Sequence, residues 1–434
     1  MNTFIAVLFM LIAALGFAHT VAAPGMRRFA VLLNLTSFVA LLTVLGFVND
    51  WLPFSSGGDD YSYFHFASVA DNWPDALSPD LFSRYYAQPG FAMVLNAYNL
   101  VFEPGLFGFK VLNLTFFLIL MQVWTRTFAE IEGVESARKF ALCCVVLTPL
   151  WFYFFFLLKD MLIALLFATF VMGAVSSWKM PTALKGWALQ LMAVLALIPF
   201  RAPLTVQALA VMIIAITARN LGKGEGRGKI TFLVLGGCVL AAIYAMSTQS
   251  DLFDVFGVVN DGRVLGTDKM TDRASALLQE SSVNRVLFPV IYLFTEISTF
   301  NAAAWRVLDA TWVRGILAVP WILLGIPALM LGFVGLLKQP TQQGRADRSS
   351  FRFRESRMVS SPWAVVVAFI VISMMTSWIV GDTTRWRLSD MPALLAVAVS
   401  ATSSFSKRRI FALTALWILC LGTAFALVAL LRIT

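Results

Sequence analysis

The sequence predicts an all-α, polytopic membrane protein of about twelve helices, with a long outer loop that carries short interfacial helices. Of its 434 residues, 59% are hydrophobic and only 13% are charged, whereas a soluble domain carries about 25% charged residues. Apolar runs of about 15–23 residues recur along the chain, and such runs cross a hydrocarbon core of ~30 Å. Since no polar stretch is long enough for a separate soluble domain, we expect a single transmembrane domain over residues 1–434.

The predicted helices follow these apolar runs and alternate across the membrane. They lie near residues 4–22, 29–48, 107–125, 140–158, 161–178, 187–199, 204–218, 230–247, 315–337, 362–380, 391–405 and 409–431. The first run has no Lys or Arg before it, unlike a secretory signal, so we expect a retained helix with its N-terminus outside. The short runs 187–199 and 391–405 can tilt, re-enter or pair as half-helices.

The net charge of +9 is explained by orientation in a membrane. Most of the 33 Lys and Arg residues fall in the loops assigned inside, and most of the 24 Asp and Glu residues fall outside. The inside loops begin near residues 24, 126, 179, 219, 338 and 406. This asymmetry follows the positive-inside rule, places both termini outside and argues against a nucleic-acid partner.

Three loops are long enough to carry a function. The outer loop 49–106 is acidic and contains the apolar stretch Phe91–Phe102, which we expect to form a helix in the outer interface. A second outer loop covers residues 248–314. The basic cytoplasmic loop 338–361 is either a binding patch for anionic lipids or for a partner, or an ordinary solvated loop.

The most informative motif is GGDDYSY at residues 57–63. It places Asp59 and Asp60 on a glycine-loosened turn just beyond a helix end, before an aromatic stretch. A carboxylate at such a position can act as a general base toward a hydroxyl group, or bind a divalent cation such as Mg or Mn. The alternative is an ordinary acidic turn with an N-cap Asp.

Cationic side chains occur at other outer junctions of the predicted helices. Lys159 and Asp160 form a tight turn near membrane depth, where ionisable residues are functional candidates; the alternative is a Lys that snorkels to the interface. Arg201 lies between two short apolar runs, and Arg385 and Arg387 precede another. Their planar guanidinium groups can bind phosphate, and the alternative is an interfacial Arg.

Carboxylates and cations from different helices thus face the same side. An enzyme that acts on a lipid-linked phosphate needs this combination, because cations stabilise the charge left on the phosphate while a carboxylate activates the nucleophile. The sequence lacks the motifs of several other enzyme classes: it has no GxSxG, no HExxH and no P-loop between a strand and a helix.

Several short motifs occur in an order that resembles the GT-C superfamily of integral-membrane glycosyltransferases. They are Asp59-Asp60 with Tyr63, YYAQPG at 85–90, GFKVLN at 108–113, the junction from Pro149 to Asp160, and Arg385 and Arg387 before Pro392. The resemblance covers roughly residues 29–220 and the segment near 381–400. The Lys-Asp junction is also similar to bacterial exopolysaccharide polymerases.

The resemblance implies a single inverting transfer of a sugar from a polyprenyl-phosphate-linked donor to a glycan, lipid or protein acceptor. It implies a multi-pass protein of the bacterial inner membrane with an active site on the periplasmic face. Asp59 is the first choice for the general base and Asp60 the second. The residues implied in binding are Lys159, Arg201, Arg385 and Arg387 for the donor phosphate, and Asp160, His65, Tyr63, Arg84 and Tyr86 for the substrates.

Two other functions stay open from the sequence. One is an O-antigen or exopolysaccharide polymerase or ligase that acts on polyprenyl-diphosphate-linked glycans. The other is a transporter or flippase of a lipid-linked sugar. A transporter usually has charged or helix-breaking positions at mid-membrane depth, whereas the polar residues here cluster at the outer rim.

Overall fold

The structure, a computed structural model, describes residues 2–55, 59–78, 81, 89–146, 148–182, 184–201, 203–221, 310–338, 361–380 and 389–433. These residues form helices and connecting turns, and no strand occurs among them. In chain order the helices are α1 (Asn2–Val21), α2 (Arg27–Trp51), α3 (Asp59–His65), α4 (Trp73–Ala76), α5 (Gly90–Phe102), α6 (Gly105–Glu132), α7 (Val134–Val145), α8 (Trp151–Phe155), α9 (Asp160–Lys179), α10 (Leu184–Arg201), α11 (Pro203–Leu221), α12 (Ala310–Pro320), α13 (Ile326–Lys338), α14 (Trp363–Val380), α15 (Met391–Ser404) and α16 (Lys407–Ile433).

The chain is a helical membrane protein. Within the described residues, five helical stretches are long and apolar enough to cross a membrane, and a sixth is added if the bent pair α7–α8 forms one span. The five are Asn2–Val21, Arg27–Trp51, Gly105–Glu132, Asp160–Lys179 and Trp312–Leu336. Shorter apolar helices occur in α5, α10, α11, α14 and α15, so the total of twelve crossings stays a prediction.

The predicted helices that fall within the described residues all have a counterpart there. The helix predicted near 230–247 lies outside them, as do nearly all of the second outer loop and of the basic cytoplasmic loop. The predicted interfacial stretch Phe91–Phe102 forms α5, which at 13 residues is shorter than the candidate spans.

The prediction of one continuous helix over 140–158 is wrong. α7 ends at Val145, and a 3-10 turn at Thr148–Leu150 leads into α8 at an angle of 50° to α7. Pro149 explains the break, since proline lacks the N–H group and its ring clashes with the preceding turn. The Thr148 hydroxyl donates to the carbonyl of Leu317, which attaches the break to α12.

The helix predicted over 315–337 is confirmed as one helical stretch, Trp312–Leu336, with a local change of hydrogen bonding inside it. A π-helical turn, Trp321–Gly325, separates α12 from α13. Pro320 immediately precedes this turn, and a missing N–H at that position favours a local change in the hydrogen-bond register.

Helix α6 is the centre of the bundle. In its most apolar stretch 78% of the residues are buried, compared with 22% in α1 and 28% in α2. It packs against α1, α2, α7, α8 and α9. Large apolar side chains of α1 and α2, including Phe4, Ile12 and Phe47, are exposed, and contiguous apolar surface of this kind suits contact with lipid.

A polar link joins three helices inside the apolar part of the bundle. The amide of Asn34 in α2 donates to the carbonyl of Ala14 in α1 at 3.1 Å. The amide of Gln122 in α6 donates to the Asn34 side-chain oxygen at 2.7 Å. Both side chains are buried, so this chain of hydrogen bonds fixes α1 and α2 against the central helix.

We predict that Asn34→Leu lowers the free energy of unfolding by about 1–2 kcal/mol, because it removes both interhelical hydrogen bonds. Thermal or denaturant unfolding in detergent micelles measures the change. Thr36→Val is the control on the same helix, because the exposed Thr36 hydroxyl bonds only to carbonyls of α2. Equal stability of the Asn34 variant and the control would contradict the prediction.

Candidate functional site

The candidate site lies beside the start of α6, which α3 and the turn before α9 both contact, at what we call the α3 end of the bundle. Two segments meet there. The acidic segment consists of residues 53–55 and 59–65, and the Lys-Asp segment consists of residues 153–160. The part of the chain between α2 and α6 supplies the first, and the connection from α8 to α9 supplies the second.

One turn of α6 holds both segments. Lys110 and Asn113 are three residues apart on this helix and therefore lie on the same face. Both are fully buried, at 0% exposure, in a predominantly apolar helix. Buried polar groups in such a helix need partners, and these two find them in different segments.

Lys110 binds the acidic segment. Its ammonium donates to the carbonyl of Pro53 at 2.6 Å and lies within electrostatic range of the Asp60 carboxylate. The same ammonium is 5.8 Å from the ring centroid of Phe156 in the Lys-Asp segment, within the range of a cation–π contact. Lys110 therefore stands between the two segments.

Asn113 binds the Lys-Asp segment. Its amide nitrogen lies 3.3 Å from the carbonyl oxygen of Tyr153, 3.4 Å from that of Phe156 and 3.0 Å from that of Leu158. These carbonyls belong to the end of α8 and the turn that follows it. A turn in the protein interior leaves carbonyls without helical partners, and Asn113 supplies a donor for them.

Asp60 fastens the start of α3 to the end of the preceding loop. It is fully buried. One carboxylate oxygen accepts from the backbone N–H of Ser55 at 2.5 Å, and the other accepts from the Ser55 hydroxyl at 2.9 Å and from the N–H of Tyr61 at 3.0 Å. Asp59, the first residue of α3, directly precedes it; the Asp59 side chain lies outside the described residues.

Asn96 of α5 supports α3 from the other side. Its side-chain oxygen accepts from the N–H groups of Val69 and Ala70, each at 3.0 Å, and its amide donates to the carbonyl of Phe66 at 2.7 Å. These residues follow α3 directly, so the helix is held at both ends, by Asp60 and by Asn96.

The aromatic residues of α3 divide into a buried and an exposed set. Tyr63 is buried and packs edge-on against the ring of Phe91 at 5.0 Å. Tyr61 and His65 are exposed, and their rings are nearly parallel with centroids 6.4 Å apart. One turn of helix separates them, so α3 presents two exposed, stacked rings.

The other predicted site residues lie as follows. Lys159 is partly exposed and immediately precedes α9, and Asp160 is the buried first residue of that helix. The backbone of Arg201 ends α10, but its side chain is outside the described residues. Arg84, Tyr86, Arg385 and Arg387 are also outside them, so their roles stay predictions.

The end of α10 nevertheless belongs to the same region. A Cβ added to Gly90, at the start of α5, would lie 2.8 Å from the carbonyl oxygen of Pro199. Only glycine permits this close approach of the two backbones. Since Pro199 precedes Arg201 by two residues, α10 ends beside the helix that carries Asn96.

For three buried or partly buried charged residues, the sequence alone predicts no role in the site. Lys110 appears there only within the motif at 108–113, while Arg314 and Asp390 are in no motif. Asp390 is fully buried directly before α15. The signal that singles them out is an ionisable residue within or next to an apolar run, which marks a functional candidate in membrane proteins.

A divalent cation is not supported by the residues that the structure describes. No group of three or more His, Cys, Asp or Glu side chains among them is arranged to hold a metal ion. The Asp60 oxygens already accept hydrogen bonds from Ser55 and Tyr61. The Mg or Mn ion that the sequence allows at Asp59 and Asp60 stays a prediction.

Comparison with known proteins gives no match: no family model, no curated protein and no solved structure matches the chain. The resemblance to GT-C enzymes accordingly stays a prediction from the short motifs in the sequence.

We predict that Asn113→Leu lowers the free energy of unfolding by about 1–3 kcal/mol, because it leaves the buried turn without its donor. Thermal unfolding of the purified protein measures the loss. Thr127→Val is the matched control, since Thr127 is also buried on α6 but donates only to the carbonyl of Val123 in its own helix. A loss no larger than that of the control would contradict the assigned role of Asn113.

Proposed function

We propose that the chain is a GT-C-like, inverting glycosyltransferase of the bacterial inner membrane that works on the periplasmic face. Its donor is a polyprenyl-phosphate-linked sugar, and its acceptor is an envelope glycan, a lipid or a protein. The observation that carries the proposal is the binding of the acidic segment by Lys110 and of the Lys-Asp segment by Asn113. A carboxylate and a cation from distant parts of the sequence thereby share one end of the bundle.

The proposed reaction is a single displacement at the anomeric carbon of the donor sugar. Asp59 takes the proton from the acceptor hydroxyl, and the hydroxyl oxygen attacks the anomeric carbon. The bond from this carbon to the phosphate oxygen breaks, and polyprenyl phosphate leaves with the electron pair. Lys159 binds the departing phosphate and stabilises its charge. Arg201, Arg385 and Arg387 are assigned the same task from the sequence.

The two adjacent carboxylates have different assignments. Asp60 is fully buried and accepts three hydrogen bonds from Ser55 and Tyr61. Its carboxylate oxygens are therefore engaged in holding the loop. A general base needs access to the proton that it takes. We therefore keep Asp59 as the base and assign Asp60 to the positioning of Asp59.

The exposed face of α3 supports a sugar substrate. Tyr61 is 56% exposed and its ring lies parallel to that of His65. The ring faces of aromatic side chains present large, rigid apolar surface, which suits the apolar face of a pyranose. Tyr61 follows Asp59 by two residues on the same short helix, and we assign His65 a role in acceptor binding.

We predict that Asp59→Asn lowers the rate of sugar transfer by about 10²–10⁴-fold, since the amide cannot accept the proton. The measurement follows release of radiolabelled sugar from polyprenyl-phosphate donors by the purified protein in lipid nanodiscs. Asp71→Asn is the matched control, because Asp71 is an exposed acid of the same outer loop. Transfer by Asp59→Asn at the wild-type rate would contradict the assignment of Asp59 as the general base.

The same assay separates the roles of the two acids. Asn at position 60 keeps an oxygen that can accept from Ser55, so Asp60→Asn should retain more activity than Asp60→Ala. A base at position 60 would instead make both variants equally inactive.

The assay also decides between the proposed function and its main alternative. If wild type consumes no monophosphate-linked donor but extends a polyprenyl-diphosphate-linked glycan, the chain is a polymerase or ligase. Such an enzyme would rely on its arginines more than on Asp59, and Asp59 would lose its role as the base.

A further inference from the structure

We infer that Arg314 binds the phosphate of the lipid-linked substrate at the α3 end of the bundle, an inference that rests on the proposed function. Arg314 lies on α12, in the stretch Trp312–Leu336 that is long and apolar enough to cross a membrane. Its side chain is partly exposed. A charged residue near the end of such a helix is either a functional group or an anchor in the interface.

A pair of tryptophans places Arg314 at the α3 end. The ring of Trp312, two residues before it, meets the ring of Trp51 edge-on, with centroids 6.0 Å apart and planes at 85°. Trp51 is the last residue of α2 and is followed closely by Pro53, whose carbonyl binds Lys110. The start of α12 therefore lies beside the chain that leads into the acidic segment.

The guanidinium itself contacts the Lys-Asp segment and its approach. A terminal nitrogen of Arg314 donates to the Tyr153 hydroxyl at 3.4 Å. The guanidinium carbon is 5.5 Å from the ring centroid of Phe152, which is the geometry of a cation–π contact. Both aromatic residues are buried, and the Tyr153 carbonyl also faces Asn113. Arg314 is thus fixed to the element that Asn113 holds.

These contacts fix a cation beside the Lys-Asp segment, near the end of α2 that leads into the acidic segment. The planar guanidinium matches the geometry of a phosphate and forms paired hydrogen bonds that an ammonium cannot form. Fixing the side chain beforehand reduces the entropy lost when a ligand binds. Phe152, which the guanidinium contacts, and the nearby pair Trp51 and Trp312 are largely apolar, which favours a phosphate ester with a hydrocarbon chain over free inorganic phosphate.

Binding of a short-chain polyprenyl monophosphate to the full-length protein in nanodiscs of neutral phosphatidylcholine tests this inference without requiring transfer. Dissociation constants come from a titration followed by intrinsic tryptophan fluorescence. Arg314→Gln should weaken binding by about 10- to 100-fold, as expected for a lost charge-assisted hydrogen bond. Arg314→Lys should restore part of the affinity, since Lys keeps the charge but not the paired geometry.

Arg408→Gln is the control, because Arg408 is an exposed residue on α16. This variant should bind the polyprenyl monophosphate with the same affinity as the wild type. Inorganic phosphate at the same concentration should not compete, whereas competition would identify a general anion site. Wild-type affinity in both Arg314 variants would overturn the inference and leave the proposed function intact. No binding by wild type would overturn both.

Discussion

The structure depends on one turn of a central helix that carries two polar side chains into an apolar interior. Lys110 and Asn113 have no partners within α6, so their burial requires groups from elsewhere in the chain. The carbonyl of Pro53 accepts from Lys110, and carbonyls of the turn at 156–158 accept from the amide nitrogen of Asn113. The cost of leaving a buried charge or amide without a partner therefore fixes the position of both site segments.

This constraint also explains why reactive groups gather at one end of the bundle. Asp60 and Asn96 hold the two ends of α3, while Asn113 holds the approach to Lys159 and Asp160. Deeper in the bundle, the hydrogen bonds of Asn34 and Gln122 hold α1 and α2 against α6 in the same way. A site assembled by such buried hydrogen bonds is preorganised, as the proposed transfer from a lipid-linked donor requires.

The sequence predicts helices well where an apolar run is uninterrupted, as in α1 and α9, because length and composition suffice there. It fails at Pro149, where the apolar run continues through a break in the helix. It also cannot predict the role of Lys110, whose acceptor is 57 residues away, or of Arg314, whose partner Tyr153 is 161 residues away. Such pairings arise from tertiary packing, which local patterns do not encode.

The most direct measurement of the central claim is hydrogen–deuterium exchange of wild type, Lys110→Met and Asn113→Leu in nanodiscs. We expect Lys110→Met to speed exchange in the acidic segment and Asn113→Leu to speed it in the Lys-Asp segment. Exchange in α10 should stay unchanged, because Lys110 and Asn113 donate their hydrogen bonds to other parts of the chain. Unaltered exchange in both segments would contradict the claim that one turn of α6 holds them together.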